Sequence, residues 1–191
     1  MITDYHAKYL AYELNRKCPS DSIQKLMVSL ADAQVDLNPH QIEAALFAFR
    51  SPFSRGVLLA DEVGLGKTIE AGIVLSQKWA EGRRKILIVV PSSLRKQWMQ
   101  ELSDKFFLPS AILELGSFNK RLKSGKRNPF EYKEQIVICS YHFARNREEY
   151  VRMTNWDMVV IDEAHRLRNV YMLNPTLSDS VIPELNEFNI A

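Results

Sequence analysis

The chain has 191 residues, 46% hydrophobic and 25% charged, with a formal net charge of +2. That is the balance of a soluble globular chain able to bury a core, sized for one domain with a small appendage. It offers no whole-molecule field for nucleic acid, and its longest aliphatic run, Ile86-Leu87-Ile88-Val89-Val90, is far too short to span a membrane, so none is expected as a partner.

The opening residues, Met1-Ile2-Thr3-Asp4-Tyr5-His6, lack the basic-then-apolar layout of a secretion signal. The two cysteines, Cys18 and Cys139, lie far apart with no Cys-x-x-Cys and no His/Cys cluster. Cys139 falls in an apolar run and reads as a buried thiol of a cytoplasmic protein, and no zinc site is expected. Residues 1–36 read as a small N-terminal helical segment broken at Cys18-Pro19-Ser20-Asp21. In its second helix Ile23, Leu26, Met27 and Leu30 recur at i, i+3, i+4 and i+7, which predicts one apolar face. Packing on the main domain is its simplest use; regulation or partner binding is the other.

Asn38 and Pro39 open a third helix, with proline in the first turn and Ile42, Ala45, Leu46 and Phe49 as its stripe. Gln41 stands three residues after Asn38, so its amide completes a capping box or faces outward to a ligand. The apolar run Gly56-Val57-Leu58-Leu59-Ala60 then leads into Asp61-Glu62-Val63-Gly64-Leu65-Gly66-Lys67-Thr68 and a further apolar, helical stretch. Strand, glycine-bearing turn and helix in that order suit a nucleoside triphosphate. Backbone amides around Gly64, Leu65 and Gly66 wrap the phosphates, and the helix N-terminus adds partial positive charge. Lys67 supplies a point charge to the β- and γ-phosphates, and the Thr68 hydroxyl binds Mg²⁺. The strict pattern has glycine six positions before the lysine, where this chain has Asp61.

Further unalternating apolar runs follow at residues 85–90, 111–115, 135–139 and 158–161, with amphipathic stretches between them such as Leu94, Trp98, Leu102 and Phe106. Runs of that kind predict a mainly parallel sheet covered on both faces, with helical crossovers and ligands at the carboxyl ends of the strands. The expected fold class is therefore α/β, a RecA-like P-loop lobe flanked by helices, over residues 37–191. After the second run, Pro91-Ser92-Ser93 opens a helix, and Ser92 and Ser93 either cap it or contact a nucleic-acid phosphate. Gln97 and Trp98 read as packing residues of that helix. Lys120, Arg121, Lys123, Lys126 and Arg127 form a basic stretch, read as a solvated loop with a phosphate-facing loop as the alternative. Ser140 and Tyr141, ending the fourth run, are candidates for another backbone contact. The last run ends in Asp162-Glu163-Ala164-His165. An acid at the tip of a buried strand holds the Mg²⁺ that the P-loop hydroxyl also touches, and a second carboxylate beside it activates water. Asp162 fits the first role and Glu163 the second, capping of a following helix being the other reading.

Three stretches carry a family resemblance: Asp61 to Gly72, Val90 to Trp98, and Asp162 to His165. They resemble helicase motifs I, Ia and II in the spelling of the Swi/Snf-type ATPases of helicase superfamily two. The likeness is greatest to the bacterial branch that contains the RNA-polymerase-associated ATPase HepA/RapA. Ile136 to Tyr141 resembles motif Ib, and Asn38 to Gln41 the adenine-reading glutamine motif; the resemblance runs from about residue 37 to about residue 170. It implies the first motor lobe of a DEAH-box, DNA-dependent ATPase that uses ATP and Mg²⁺ to translocate on double-stranded DNA without separating its strands. It implies adenine contact for Gln41, phosphate contact for Ser92 and Ser93, and coupling of the γ-phosphate to motif III for His165. Motif III, the second lobe and its arginine finger are not recognisable, so the chain is expected to be a first lobe truncated after motif II with little turnover. The competing expectation is a non-catalytic, nucleotide-gated module docked on a partner such as RNA polymerase.

Overall fold

The computed structural model describes residues 3–15, 22–31, 33–35, 38–50, 56–59 and 66–165. Its centre is a four-stranded parallel sheet in the order β2-β3-β1-β4, formed by β1 (Ile86–Val90), β2 (Ser110–Ile112), β3 (Ile136–Ser140) and β4 (Met158–Ile161). The register pairs Ile88 of β1 with Ile138 of β3 on one side and with Val160 of β4 on the other. Successive side chains of a strand point to opposite faces, so each apolar run feeds two cores. Ile86, Ile88, Val90, Ile136, Ile138 and Val160 enter one; Leu87, Val89, Val137, Cys139 and Val159 enter the other.

The first core is closed by α4 (Lys67–Ala80) and α5 (Arg95–Phe106), with α2 (Ile23–Ser29) and α3 (Pro39–Arg50) against α4. Every residue of α4 from Ile69 to Gln77 is buried, the mark of a helix enclosed on all sides. On α5, Trp98, Leu102 and Phe106 are buried, as their spacing predicts. Gly72 of α4 lies directly under the Phe106 ring: a Cβ there would stand 2.2 Å from a ring carbon. Leu26 and Leu30 bring the N-terminal segment into this same core, and Lys25 Nζ meets Glu81 Oε1 at 2.7 Å. The preceding helix, α1 (Asp4–Asn15), exposes Tyr5, Tyr9, Leu10 and Tyr12.

The second core gathers Phe118, Phe130, Phe143, Tyr150 and Trp156 under α6 (Leu115–Lys123), α7 (Tyr141–Arg145) and α8 (Glu148–Arg152). Phe118 makes edge-on contacts with Phe130, Phe143 and Tyr150 at centroid separations of 5.1 to 6.2 Å. Within the basic stretch, Arg121 is structural. Its guanidinium lies 3.7 Å over the Tyr132 ring and donates to the Pro129 and Glu131 carbonyls.

Three expectations change. The run 111–115 is strand only to Ile112, because Ser117 Oγ accepts the Glu114 N–H and starts α6 at Leu115. Of the four apolar positions on α2, Leu26 and Leu30 are buried while Ile23 and Met27 are exposed. That helix is only seven residues long, and an i, i+4 pair suffices to seat it. In the run 56–60, Gly56 makes a single bridge and residues 57–59 have no regular structure. Apolarity predicts that a segment seeks burial; it does not supply a partner for its amides.

Candidate nucleotide-binding site

Gly66 is the N-cap of α4, with φ 86° and no side-chain cap. Its left-handed backbone turns the chain into the helix, and the Ile69 and Glu70 N–H groups close on its carbonyl at 2.7 and 3.2 Å. Lys67 and Thr68, both half-buried, are the first two residues of the helix. The end of α4 feeds β1 through residues 81–85, and Ile69 to Leu75 share a core with Ile86, Ile88 and Val90. The helix therefore lies back along the sheet, and its entrance falls at the carboxyl edge of the strands. Gly64 and Leu65 lie outside the described residues, as do Asp61 to Val63.

Asp162 reaches the same edge from β4. Its N–H donates to the Val89 carbonyl at 3.0 Å, which carries the β1–β4 ladder one residue past the strand. Its side chain is held too: Trp98 Nε1 of α5 donates to Asp162 Oδ2 at 2.9 Å. The Tyr141 hydroxyl donates to its main-chain carbonyl. Glu163 then takes a left-handed conformation, φ 56°, unusual for a residue with a Cβ. Its Oε2 lies 3.0 Å from His165 Nδ1, and both side chains are largely exposed.

Gln41 takes up the capping reading. Its Oε1 accepts the Asn38 N–H at 3.2 Å, the return half of a capping box. Its Nε2 faces Gly66, where a Cβ would stand 2.7 Å away. Ser92 and Ser93 are exposed in the turn before α5, whose N-cap is Leu94 with no side-chain cap, so the capping reading of those serines does not hold. Ser140 does cap α7, accepting the Phe143 N–H at 3.3 Å. Gln97 is exposed and bonds Glu101, so of the two residues expected to pack on α5 only Trp98 does.

The sequence reading missed two features. Trp98 looked like packing, yet its indole N–H reaches an acidic group 64 positions away. Glu70, in the first turn of α4, is fully buried, a place signalled only by its apolar neighbours on both sides. A groove of about 740 Å³ lined by Phe118, Asn119, Arg145, Arg147 and Tyr150 shares no residue with this edge.

Hard oxygens from Thr68 and Asp162 are a donor set that fits Mg²⁺, which keeps waters and takes phosphate oxygens for its other positions. A helix-entrance turn and a strand-tip acid on one edge of a parallel sheet fit one class, a RecA-like α/β lobe. The chain belongs to the SNF2-related domain family, whose profile matches residues 13–176. It is the N-terminal RecA-like lobe of an SNF2-type ATPase of helicase superfamily two. It is 40% identical over 156 residues to the RNA polymerase-associated protein RapA of Proteus mirabilis and 42% identical to that of Yersinia enterocolitica. Each match covers 80% of this chain and 16% of the relative, so the chain spans about a sixth of their length. Among solved structures, the Sulfolobus solfataricus SWI2/SNF2 ATPase core in complex with double-stranded DNA is similar. The TM-score is 0.63 at 25% identity, over 83% of this chain and 31% of that one.

Proposed function

We propose that this chain is the first motor lobe of a DNA-dependent ATPase that couples hydrolysis to movement along duplex DNA. The observation that carries the reading is the arrival of the α4 entrance and Asp162 at one edge of the sheet, with the Asp162 carboxylate oriented by a buried donor. In this reading Gly64, Leu65 and Gly66 wrap the phosphates, and Lys67 neutralises the β- and γ-oxygens. Thr68 and Asp162 hold Mg²⁺, which when bound supplies charge stabilisation to the transferring phosphoryl group. Glu163 aligns the attacking water and accepts its proton, and His165, against Glu163, sets that carboxylate's direction. Gln41 borders the nucleotide through its Nε2 and Gly66. Ser92 and Ser93, exposed before α5, are assigned to a DNA phosphate, with Ser140 and Tyr141 beside them at the end of β3.

On this reading the DEAH residues are Asp162 to His165, and the 191-residue chain alone binds ATP·Mg²⁺ but turns over slowly. Phosphoryl transfer of this kind gains orders of magnitude from an arginine delivered across the γ-phosphate, which the family resemblance assigns to a second lobe. We place the protein in the cytoplasm, residues 1–36 as an N-terminal helical segment, and the rest as the ATP-binding lobe. The relatives' RNA-polymerase association supports a second reading, a nucleotide-gated module docked on polymerase. The exposed Tyr5, Tyr9 and Tyr12 of α1 are a surface suited to such a contact. Glu163→Gln in a two-lobe protein tests between them. The motor reading expects ATP binding retained and DNA-stimulated hydrolysis lowered by about a hundredfold or more. Unchanged turnover would replace the motor with the switch.

A further inference from the structure

Two aromatic residues converge on Asp162, Trp98 from α5 and Tyr141 from the first position of α7. Trp98 sits one turn into α5, after the Ser92–Ser93 turn, and is 4% exposed. Its ring lies in the first core beside Leu102 and Phe106, so packing fixes the ring and thereby aims its single N–H at Oδ2. Tyr141 follows the Ser140 cap, and its hydroxyl reaches the Asp162 carbonyl from β3's side of the sheet.

We propose that Trp98 and Tyr141 are positioning residues for the metal site. Trp98 ties down one carboxylate oxygen of Asp162 and turns the other outward. Tyr141 fixes the peptide joining Asp162 to Glu163, the unit whose orientation carries Glu163 into its left-handed conformation. The proposal rests on the reading of Asp162 as the Mg²⁺ ligand and assigns how that ligand is aimed. A carboxylate with a free χ2 offers either oxygen in many directions, and each must be frozen when the ion arrives. An indole N–H already bonded to one oxygen removes that freedom in advance. Outer partners of this kind are worth roughly ten- to a hundredfold in metal affinity. Packing alone gives no reason for tryptophan here, since phenylalanine fills most of the same volume without an N–H to satisfy.

The experiment compares ATP affinity in Mg²⁺ with affinity in EDTA for the 191-residue chain, the ratio isolating the metal's share. Trp98→Phe is expected to lower that ratio by about tenfold while the EDTA affinity stays within about twofold. In an Asp162→Asn background the same substitution should change the ratio no further, since the bond's acceptor is already altered. A purely structural Trp98 would lower both affinities in step and leave the ratio intact, and that result overturns the proposal. Tyr141→Phe is expected to lower the ratio as well, by a few-fold, with no loss in EDTA; an unchanged ratio removes Tyr141 from it.

The nucleotide-free protein gives an independent reading should Trp98→Phe fail to fold. Of the three indole N–H resonances, that of Trp98 should shift in Asp162→Asn. The Trp156 indole, which donates to the Val151 carbonyl at 2.9 Å, should hold still. No shifted resonance overturns the proposal. A wild-type chain that binds no nucleotide sinks the ATP site instead, and the tryptophan resonance tells that failure from this one.

Discussion

Gly66 answers to two separate constraints, and either alone would exclude another residue. Its φ of 86° costs a side chain about 1–2 kcal/mol, and a Cβ there would press to 2.7 Å from Gln41 Nε2. The Gln41 amide could swing away, but its oxygen is engaged at the Asn38 N–H, so moving it gives up the helix cap as well. Gly66→Ala is therefore expected to lower stability by about 2 kcal/mol and to weaken ATP binding by more than tenfold. Gln41→Ala in the same chain should restore part of the stability by clearing the space. Thermal unfolding of the single and double variants, with nucleotide titration of each, checks this. A Gly66→Ala protein that melts and binds like wild type would show that the turn is not held as described. At Asp162 the residue-scale lesson differs: the side chain is half-buried with one oxygen already bonded, and the main-chain N–H and carbonyl are committed as well.

Among the elements, α4 and α5 are the pair on which the site depends. α4 carries the Gly66 turn at its head and α5 carries Trp98; the two meet where the Phe106 ring lies on the backbone of Gly72. Alanine normally gains about 1 kcal/mol over glycine inside a helix. Here the added carbon would come within 2.2 Å of a ring that is itself buried, a contact no pair of atoms sustains. Overpacking of that sort costs about 1–3 kcal/mol, so crowding wins over propensity. Gly72→Ala should lower the melting temperature by several degrees, at about 2–4 °C per kcal/mol for a chain of this size. Phe106→Leu, which shortens the ring's reach, should recover part of the loss; calorimetry of the two singles and the double decides it. Much of this layer was readable beforehand: the Trp98, Leu102, Phe106 stripe and the apolar runs are local patterns, and burial follows local patterns. What could not be read are the meetings between elements. Nothing near residue 98 announces Asp162, and nothing near Gly72 announces Phe106. The short helix α7 and the early end of β2 turn on single backbone N–H groups accepted by Ser140 and Ser117, too small a signal to outweigh an apolar run.

For the whole molecule, the sheet divides the interior into a mainly aliphatic core under α4 and α5, which also holds Trp98 and Phe106, and a core rich in aromatic rings under α6 to α8. The strand alternation that makes this division follows from pleating, which is why continuous apolar runs signalled both faces together. The edge proposed for the nucleotide draws on the first core through α4 and Trp98 and on the second through Tyr141. Cys139 of β3 reports on the integrity of the second core. Burial pushes its thiol from an ordinary value of 9.0 up to about 12, with the Arg95 guanidinium pulling weakly the other way. Below pH 9 the thiol is protonated in both folded and unfolded chains, and it contributes no pH dependence. Between about pH 9 and 12 the unfolded chain gives up this proton and the folded chain keeps it, so folding stability falls as pH rises. The slope assigned to this one group is about 1.4 kcal/mol per pH unit. Cys139→Ala removes the group, so denaturant unfolding of both proteins at pH 8, 9.5 and 10.5 should show wild type losing stability faster above pH 9. At pH 8 the native thiol should also resist a thiolate-seeking alkylating agent until denaturant opens the sheet. Rapid labelling of the native protein at this position, or parallel stability curves for the two proteins, would mean that the second core admits water at β3.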